Sequence, residues 1–252
     1  MARAREETSK YVYGVVPASA RAKPTGKGIH GKPIRLVASE KLAALTSDVP
    51  TGALEAGRDE LLAHAHVLER AIERGTVLPM RFGVVMPSES AVRADLLTAH
   101  RAELAAQLEE MDGKVEVNIK GLYDEPTVLR ELVAGDPEIA GLREALQHQP
   151  EDATYFERIR LGELVAAALA ARRSAEEHQI VERLAANALG VEVGDPMHER
   201  MVVNASFLVE RNRLGDLDEA LEQMAAEREG TIRFRYTGPL PPHSFVELSV
   251  EG

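Results

Sequence analysis

An Ala-rich segment running from Thr154 to Leu189 and closed by Gly190 constrains this 252-residue chain more than any other feature. It predicts a single helix roughly 50 Å long at a rise of 1.5 Å per residue. Its start, Thr154-Tyr-Phe-Glu157, has the form of a capping box, in which the Thr hydroxyl caps the helix and the Glu carboxylate reaches back to the cap amide. A helix of that length must pack across a whole sheet or project and meet something. The flanking sequence supplies sheet on both sides of it.

In the N-terminal half, Tyr11-Val-Tyr-Gly-Val-Val16 is an aromatic and β-branched run closed by Pro17, read as a strand. Ala18–Pro33 reads as a loop. Ile34–Ala38 and Leu42–Val49 pair as a hairpin. A first helix is expected from about Glu55 to Arg74, with Leu61, Ala65, Leu68 and Ile72 on one buried face and Gly75 as its stop. Val77–Gly83 reads as a strand, with Pro79 at its start or at an unpaired position. A second helix opens at Ser88 as N-cap and runs to about Met111, its apolar side made of Val92, Leu96, Leu104, Leu108 and Met111. Asp112-Gly113 is the expected domain boundary.

The C-terminal half opens on Val115–Gly121, a period-two alternation with Val115, Val117 and Ile119 on one face. Short helices follow around Pro126–Ala134 and from Asp136-Pro137-Glu138, where Asp caps and Pro suits the first helical position. After the long helix come a buried central strand, Met201–Val209, and a capping box at Asp216-Leu-Asp-Glu219 that leads a helix to Glu229. A final strand spans Thr231–Tyr236, and the tail at 237–252 is rich enough in Pro and Gly to exclude further regular structure. The expected fold class is α+β, with two domains, 1–112 and 113–252. Each is read as a small sheet with helices on one face, ferredoxin-like in topology.

Composition narrows the chemistry. Hydrophobic residues make up 44% of the chain and aromatics only 4%, so the core must rest on Leu, Val, Ile and Ala. There is no cysteine, which removes disulfides, thiolate nucleophiles and thiolate metal sites. No apolar run reaches the roughly 20 residues that span a bilayer, and the charged Met1–Glu7 has no signal-peptide character. The expectation is a soluble, cytoplasmic protein. A net charge of −11 argues against a nucleic-acid binder. The basic stretch with Arg21, Lys23, Lys27 and Lys32 reads as a solvated loop.

No catalytic, cofactor or metal constellation emerges. Gly26-Lys-Gly-Ile-His-Gly31 matches G-x-G-x-x-G, but it neither follows a strand nor opens a helix, as a dinucleotide site requires. His64 and His66, two apart on a helix, point to opposite sides and read as helix-surface or core-edge residues. His178 and His198 lack a third clustered ligand. Ser88, Ser174, Ser206 and Ser244 lack a nucleophile elbow.

Several segments together resemble the gas vesicle protein F/L family (GvpF/GvpL). Tyr11–Val16 is similar to the family's N-terminal strand, and Val77-Leu-Pro-Met-Arg-Phe-Gly-Val-Val85 resembles its "LPxRFG" segment. Val117–Gly121 occupies the strand before the helical region. Tyr236-Thr-Gly-Pro-Leu-Pro-Pro-His-Ser-Phe245 is similar to the closing "TGPWPPYSF", departing at Leu240 and His243. The resemblance implies an N-terminal part with a modified ferredoxin-like fold, no enzymatic activity and no cofactor. It implies an assembly factor or minor vesicle component that binds the hydrophobic shell protein GvpA and other accessory proteins, with self-association compatible. Arg81, Phe82, Tyr236 and Phe245 are the candidate contact residues. The rival readings are a regulatory module binding a ligand between two ferredoxin-like domains, and a hydrolase or transferase assembled from scattered residues including His64, His178, His198 and His243.

Overall fold

Strand β1 (Thr8–Pro17) is the organising element of the N-terminal sheet. It pairs antiparallel with β3 (Leu42–Pro50), which pairs with β2 (Arg35–Ser39) across a two-residue turn where Glu40 takes φ +52°. On its other side β1 meets two short strands, β4 (Leu78–Pro79) and β5 (Val85–Met86). The computed structural model describes residues 8–18, 26–51, 57–147, 149–150 and 154–246. Arg21, Lys23, the expected helix start at Glu55 and the tail beyond residue 246 lie outside the described residues.

The register of β1 shifts between Val12 and Gly14, a bulge that resets the alternation of faces. Val12 and Val15 therefore join one aliphatic core, while Tyr11 and Tyr13 pack together on the opposite side. Gly14 is required there, because a Cβ would press on the Leu78 carbonyl at 2.6 Å and close the approach of β4. The sheet is buried on both faces, where the sequence reading supplied helices for one.

Helix α1 (Arg58–Ile72) covers the tyrosine side. Its buried residues are His64, Val67, Leu68 and Ile72, so the face is rotated from the expected one and Leu61 is 47% exposed. Hydropathy misplaced the face because it does not anticipate a histidine satisfied by a buried tyrosine. The aliphatic side is covered by α2 (Glu89–Ala91), a π-helical stretch (Val92–Thr98) and α3 (Arg101–Glu110). Ser88 caps this run as expected, accepting from the Ala91 amide at 3.1 Å. The wider π turn is held by the Ala99 amide on the Ala94 carbonyl, and it brings Leu96 and Leu97 both fully inside.

Val77–Gly83 is not one strand. Pro79 cannot donate to a ladder, and Phe82-Gly83 forms a turn with Gly83 at φ +96°, so β4 and β5 flank a reversal.

The second sheet has the order β7-β8-β6-β9, from β6 (Lys114–Tyr123), β7 (Gly190–Val193), β8 (Met201–Glu210) and β9 (Ile232–Leu240). Helices α4 (Glu125–Gly135), α5 (Pro137–Leu146) and α6 (Tyr155–Ala185) lie between β6 and β7, and α7 (Leu214–Glu227) lies between β8 and β9. Asp124 caps α4, and Asp136 caps α5 by accepting from the Glu138 and Ile139 amides at 2.9 and 3.2 Å. Val115, Val117 and Ile119 are fully buried as the alternation of β6 requires.

Four expectations in this half are corrected. Helix α6 ends at Ala185, is about 46 Å long, and Gly190 starts β7 instead of closing the helix. Thr154 makes no capping bond; its hydroxyl donates to the Pro150 carbonyl and accepts from Arg158. Asp216 lies inside the first turn of α7 and accepts from Arg213 at 3.0 Å. Finally, β9 continues through a cis Gly238–Pro239 bond to Leu240, because an edge strand tolerates a proline whose missing N–H faces away from the ladder.

The chain groups into two compact units: Met1–Val117 with Leu208–Asn212 and Gly238–Gly252, and Asn118–Phe207 with Arg213–Thr237. This grouping differs from a single cut at residues 112 and 113, since the chain returns to the first unit twice.

Candidate interaction site

In the first unit, Tyr11, Tyr13, His64 and Phe82 form a ring cluster with centroid separations of 4.8 to 5.9 Å. The Tyr11 hydroxyl donates to His64 Nδ1 at 2.8 Å and accepts from the Gly83 amide at 3.1 Å. His64 in turn bonds the Met80 backbone, which fixes its proton on the other ring nitrogen. Burial pulls the His64 pKa down to about 4, with the nearby His243 adding repulsion, so the imidazole is neutral near pH 7. Burial also pushes the Tyr11 hydroxyl well above the usual phenol range and raises that of Tyr13, which keeps both protonated.

This network pins the turn of the LPMRFG segment from beneath. Leu78 and Met80 are core, Phe82 is half-buried against Tyr11 and His64, and Arg81 points outward, without an ion pair among the described residues. The same cluster explains the glycine motif at residues 26–31. The Tyr13 hydroxyl accepts from the Ile29 amide at 2.8 Å, and a Cβ on Gly28 would collide with that hydroxyl. The motif is a lid over a buried tyrosine.

The tail is clamped to the same unit. Glu116, 4% exposed, accepts from the Ser244 amide and hydroxyl at 2.8 Å each, and Phe245 packs against the aliphatic core. Two charge-assisted bonds on a buried carboxylate form a strong latch. Glu116→Ala is expected to cost about 1–3 kcal/mol and to speed amide exchange at residues 243–246, while Glu116→Gln costs less. Unchanged exchange in Glu116→Ala would show that the latch does not hold the tail.

The second unit carries a different set. Arg172 bridges Glu131 at 2.8 Å and Glu176 at 2.9 Å, with its guanidinium 6.0 Å from the Tyr123 ring centroid. Desolvation disfavours the Arg172 charge, but the two carboxylates outweigh it and raise its pKa. Burial, followed by the Glu176 charge, raises that of Tyr123. Beside this group is a pocket of about 390 Å³ lined by Tyr123, Val128, Leu129 and Leu169, with Glu125 and the His198–Arg200 segment also on its wall. Tyr236 is 38% exposed, and its hydroxyl is pushed up to about 12 by burial and by the neighbouring Asp218 carboxylate.

Of the four candidate residues, Arg81, Phe82 and Phe245 fall in the first unit and Tyr236 in the second. The histidines divide likewise. His64 and His243 are neighbours in the first unit, and His178 and His198 are exposed in the second. Among the described residues, no three side chains of His, Asp or Glu are placed to hold a metal ion, and no helix is long and apolar enough to cross a membrane. Sequence reasoning missed the largest exposed apolar side chains. Tyr155 (62%) and Phe156 (78%) lie in the first turn of α6, and Leu189, Val193 and Met197 lie around β7. Adjacent Tyr155 and Phe156 cannot both face inward on a helix, and that was the available signal.

The molecule is an α+β protein of two small antiparallel sheets, with apolar side chains displayed at helix and strand ends. The family model described as gas vesicle synthesis protein GvpL/GvpF matches residues 9–247, and the chain belongs to that family. It is 38% identical over 242 residues to gas vesicle protein F of Streptomyces sp. (strain CB03234), covering 95% of this chain and 100% of that protein. It is 29% identical over 265 residues to gas vesicle protein L of the same strain, covering 96% and 94%. The crystal structure of GvpF from Anabaena sp. PCC7120 superposes with a TM-score of 0.83 at 25% identity, covering 96% of this chain and 100% of that one. That of GvpF from Microcystis aeruginosa gives 0.75 at 26%, covering 95% and 99%. The role is therefore related to gas vesicles, in a family of structural or accessory proteins.

Proposed function

We propose that this chain is an accessory protein of gas vesicle assembly. It binds the hydrophobic shell protein GvpA and other accessory proteins during nucleation, in the cytoplasm and at the vesicle, and keeps the shell protein from aggregating. The observation that carries this reading is family membership over residues 9–247, the whole described fold. The greater identity to the F protein than to the L protein of one strain favours an F-type role. Exposed apolar side chains at Tyr155, Phe156, Leu189, Val193 and Met197 supply surface of the kind that captures an apolar partner. Of the four candidate contacts, Arg81 and Tyr236 have the exposed area to meet a partner, and Phe82 and Phe245 support their segments from beneath. Co-expression of the tagged chain with the shell protein is expected to retain that protein on the affinity matrix and reduce its sedimentable fraction. No retention, where a known accessory protein retains it, would overturn the reading.

The reading of a regulatory module with a ligand site between two domains draws no support from the pocket beside Tyr123, whose lining, including Val128, Leu129 and Leu169, lies within the second unit; that pocket supports only a small-ligand site inside one unit. Such a site calls for a thermal shift with a small metabolite that Leu169→Trp abolishes.

A further inference from the structure

We propose that the outer edge of β7 is the docking site for an extended strand of the partner, which adds to the four-stranded sheet. The inference rests on the accessory reading above and names its surface. Strand β7 ends the order β7-β8-β6-β9, so its outer backbone donors and acceptors have no strand beside them among the described residues. Such an edge is a template for pairing unless it is blunted.

Two other edge strands, β2 and β9, are blunted. Arg93 donates to the Ala38 carbonyl of β2 at 3.2 Å, and Ser39 meets Thr98 at 3.3 Å. Strand β9 displays Arg233 and Arg235 and contains Pro239. Strand β7, Gly-Val-Glu-Val, has neither lysine, arginine nor proline. Val191 and Val193 fall at period two on one face of β7, and Val193 and Leu189, just before the strand, are 51% and 53% exposed. Met197, 72% exposed, follows in the next loop.

Charge selects the occupant. Glu192 within the strand and the exposed Asp195 and Glu199 after it outnumber the basic groups there, Arg200 and Lys120, whose Nζ lies 3.6 Å from Met197 Sδ, so the rim beside the apolar row is net acidic. The matching partner is a strand with apolar side chains at alternate positions and Lys or Arg between or beside them. Edge-to-edge pairing of two copies of this chain sets two such acidic rims against each other, so a second copy is the poorer occupant.

The test uses the full chain with co-expressed shell protein as the probe. Val193→Lys, at an exposed position, is expected to keep the thermal midpoint and reduce retention at least tenfold; Glu192→Lys is expected to reduce it by less. In the unaltered chain, bound shell protein is expected to slow amide exchange at residues 190–193. Undiminished retention in Val193→Lys, or unchanged exchange at 190–193 in the complex, overturns the inference while leaving the accessory role standing. No retention by the unaltered chain overturns both. A concentration-dependent dimer that Val193→Lys abolishes assigns the edge to a second copy and also overturns it.

Discussion

Tyr11→Ala is expected to lower the unfolding free energy by about 4 kcal/mol, within the range for emptying a buried aromatic site. The ring is fully buried, contacts Tyr13, His64 and Phe82, and sits in the strand that pairs with three others. Its loss opens a cavity and leaves the Gly83 amide and His64 Nδ1 without their shared partner. Tyr11→Phe separates the two contributions, because it keeps the ring and removes only the hydroxyl. It is expected to cost about 1–3 kcal/mol, the range for orphaning buried polar groups. Denaturant titration of both variants measures this. A Tyr11→Phe variant as stable as the parent would show that the hydroxyl network contributes nothing net.

The second large effect is in pH. His64 has a folded pKa of about 4 against an ordinary value of 6.5, chiefly from burial. Between those values the unfolded chain binds more protons than the folded one, so stability rises with pH across that window. The contribution is fully present above pH 6.5, is lost as pH falls toward 4, and levels off below. The shift corresponds to roughly 3 kcal/mol. Asp48, held below the usual carboxylate range by the hydrogen bond from Lys10, adds a loss at still lower pH. His64→Gln keeps an acceptor for Tyr11 and a donor for Met80 but does not titrate. Its stability is expected to be nearly flat from pH 6.5 to 4.5, where the parent declines. Parallel curves for the two proteins would remove His64 as the cause.

Much of the fold is local and was readable in the chain. Ser88 and Asp136-Pro137 announce helix starts because capping chemistry acts within three residues. The alternation of Val115, Val117 and Ile119 announces a strand because its period is two. The hairpin β2–β3 needed only the Ser39–Leu42 connection. The misreadings share one origin. His64 took a core position that hydropathy assigns to Leu61, because Tyr11, 53 residues away, offers it a hydrogen bond. Tyr13 and Gly14 sit at a bulge that a period-two count steps over. The tail became a strand because β6 was waiting for an edge partner.

The candidate site divides along the same line. The LPMRFG and TGP…SF segments stand out in the chain, and they mark where the family resemblance lies. What each residue does there depends on contacts distant in sequence. Phe245 is drawn to the aliphatic core and Ser244 to Glu116, 128 residues earlier, while Arg81 is left exposed. The exposed edge of β7 was invisible for a related reason: whether a strand has a neighbour on each side is a property of the assembled sheet. Composition, capping and periodicity act over a few residues, so the chain alone was enough for most element types and for the absence of cysteine. Burial, pKa and free edges arise from contacts between distant segments, so only the tertiary structure decided them.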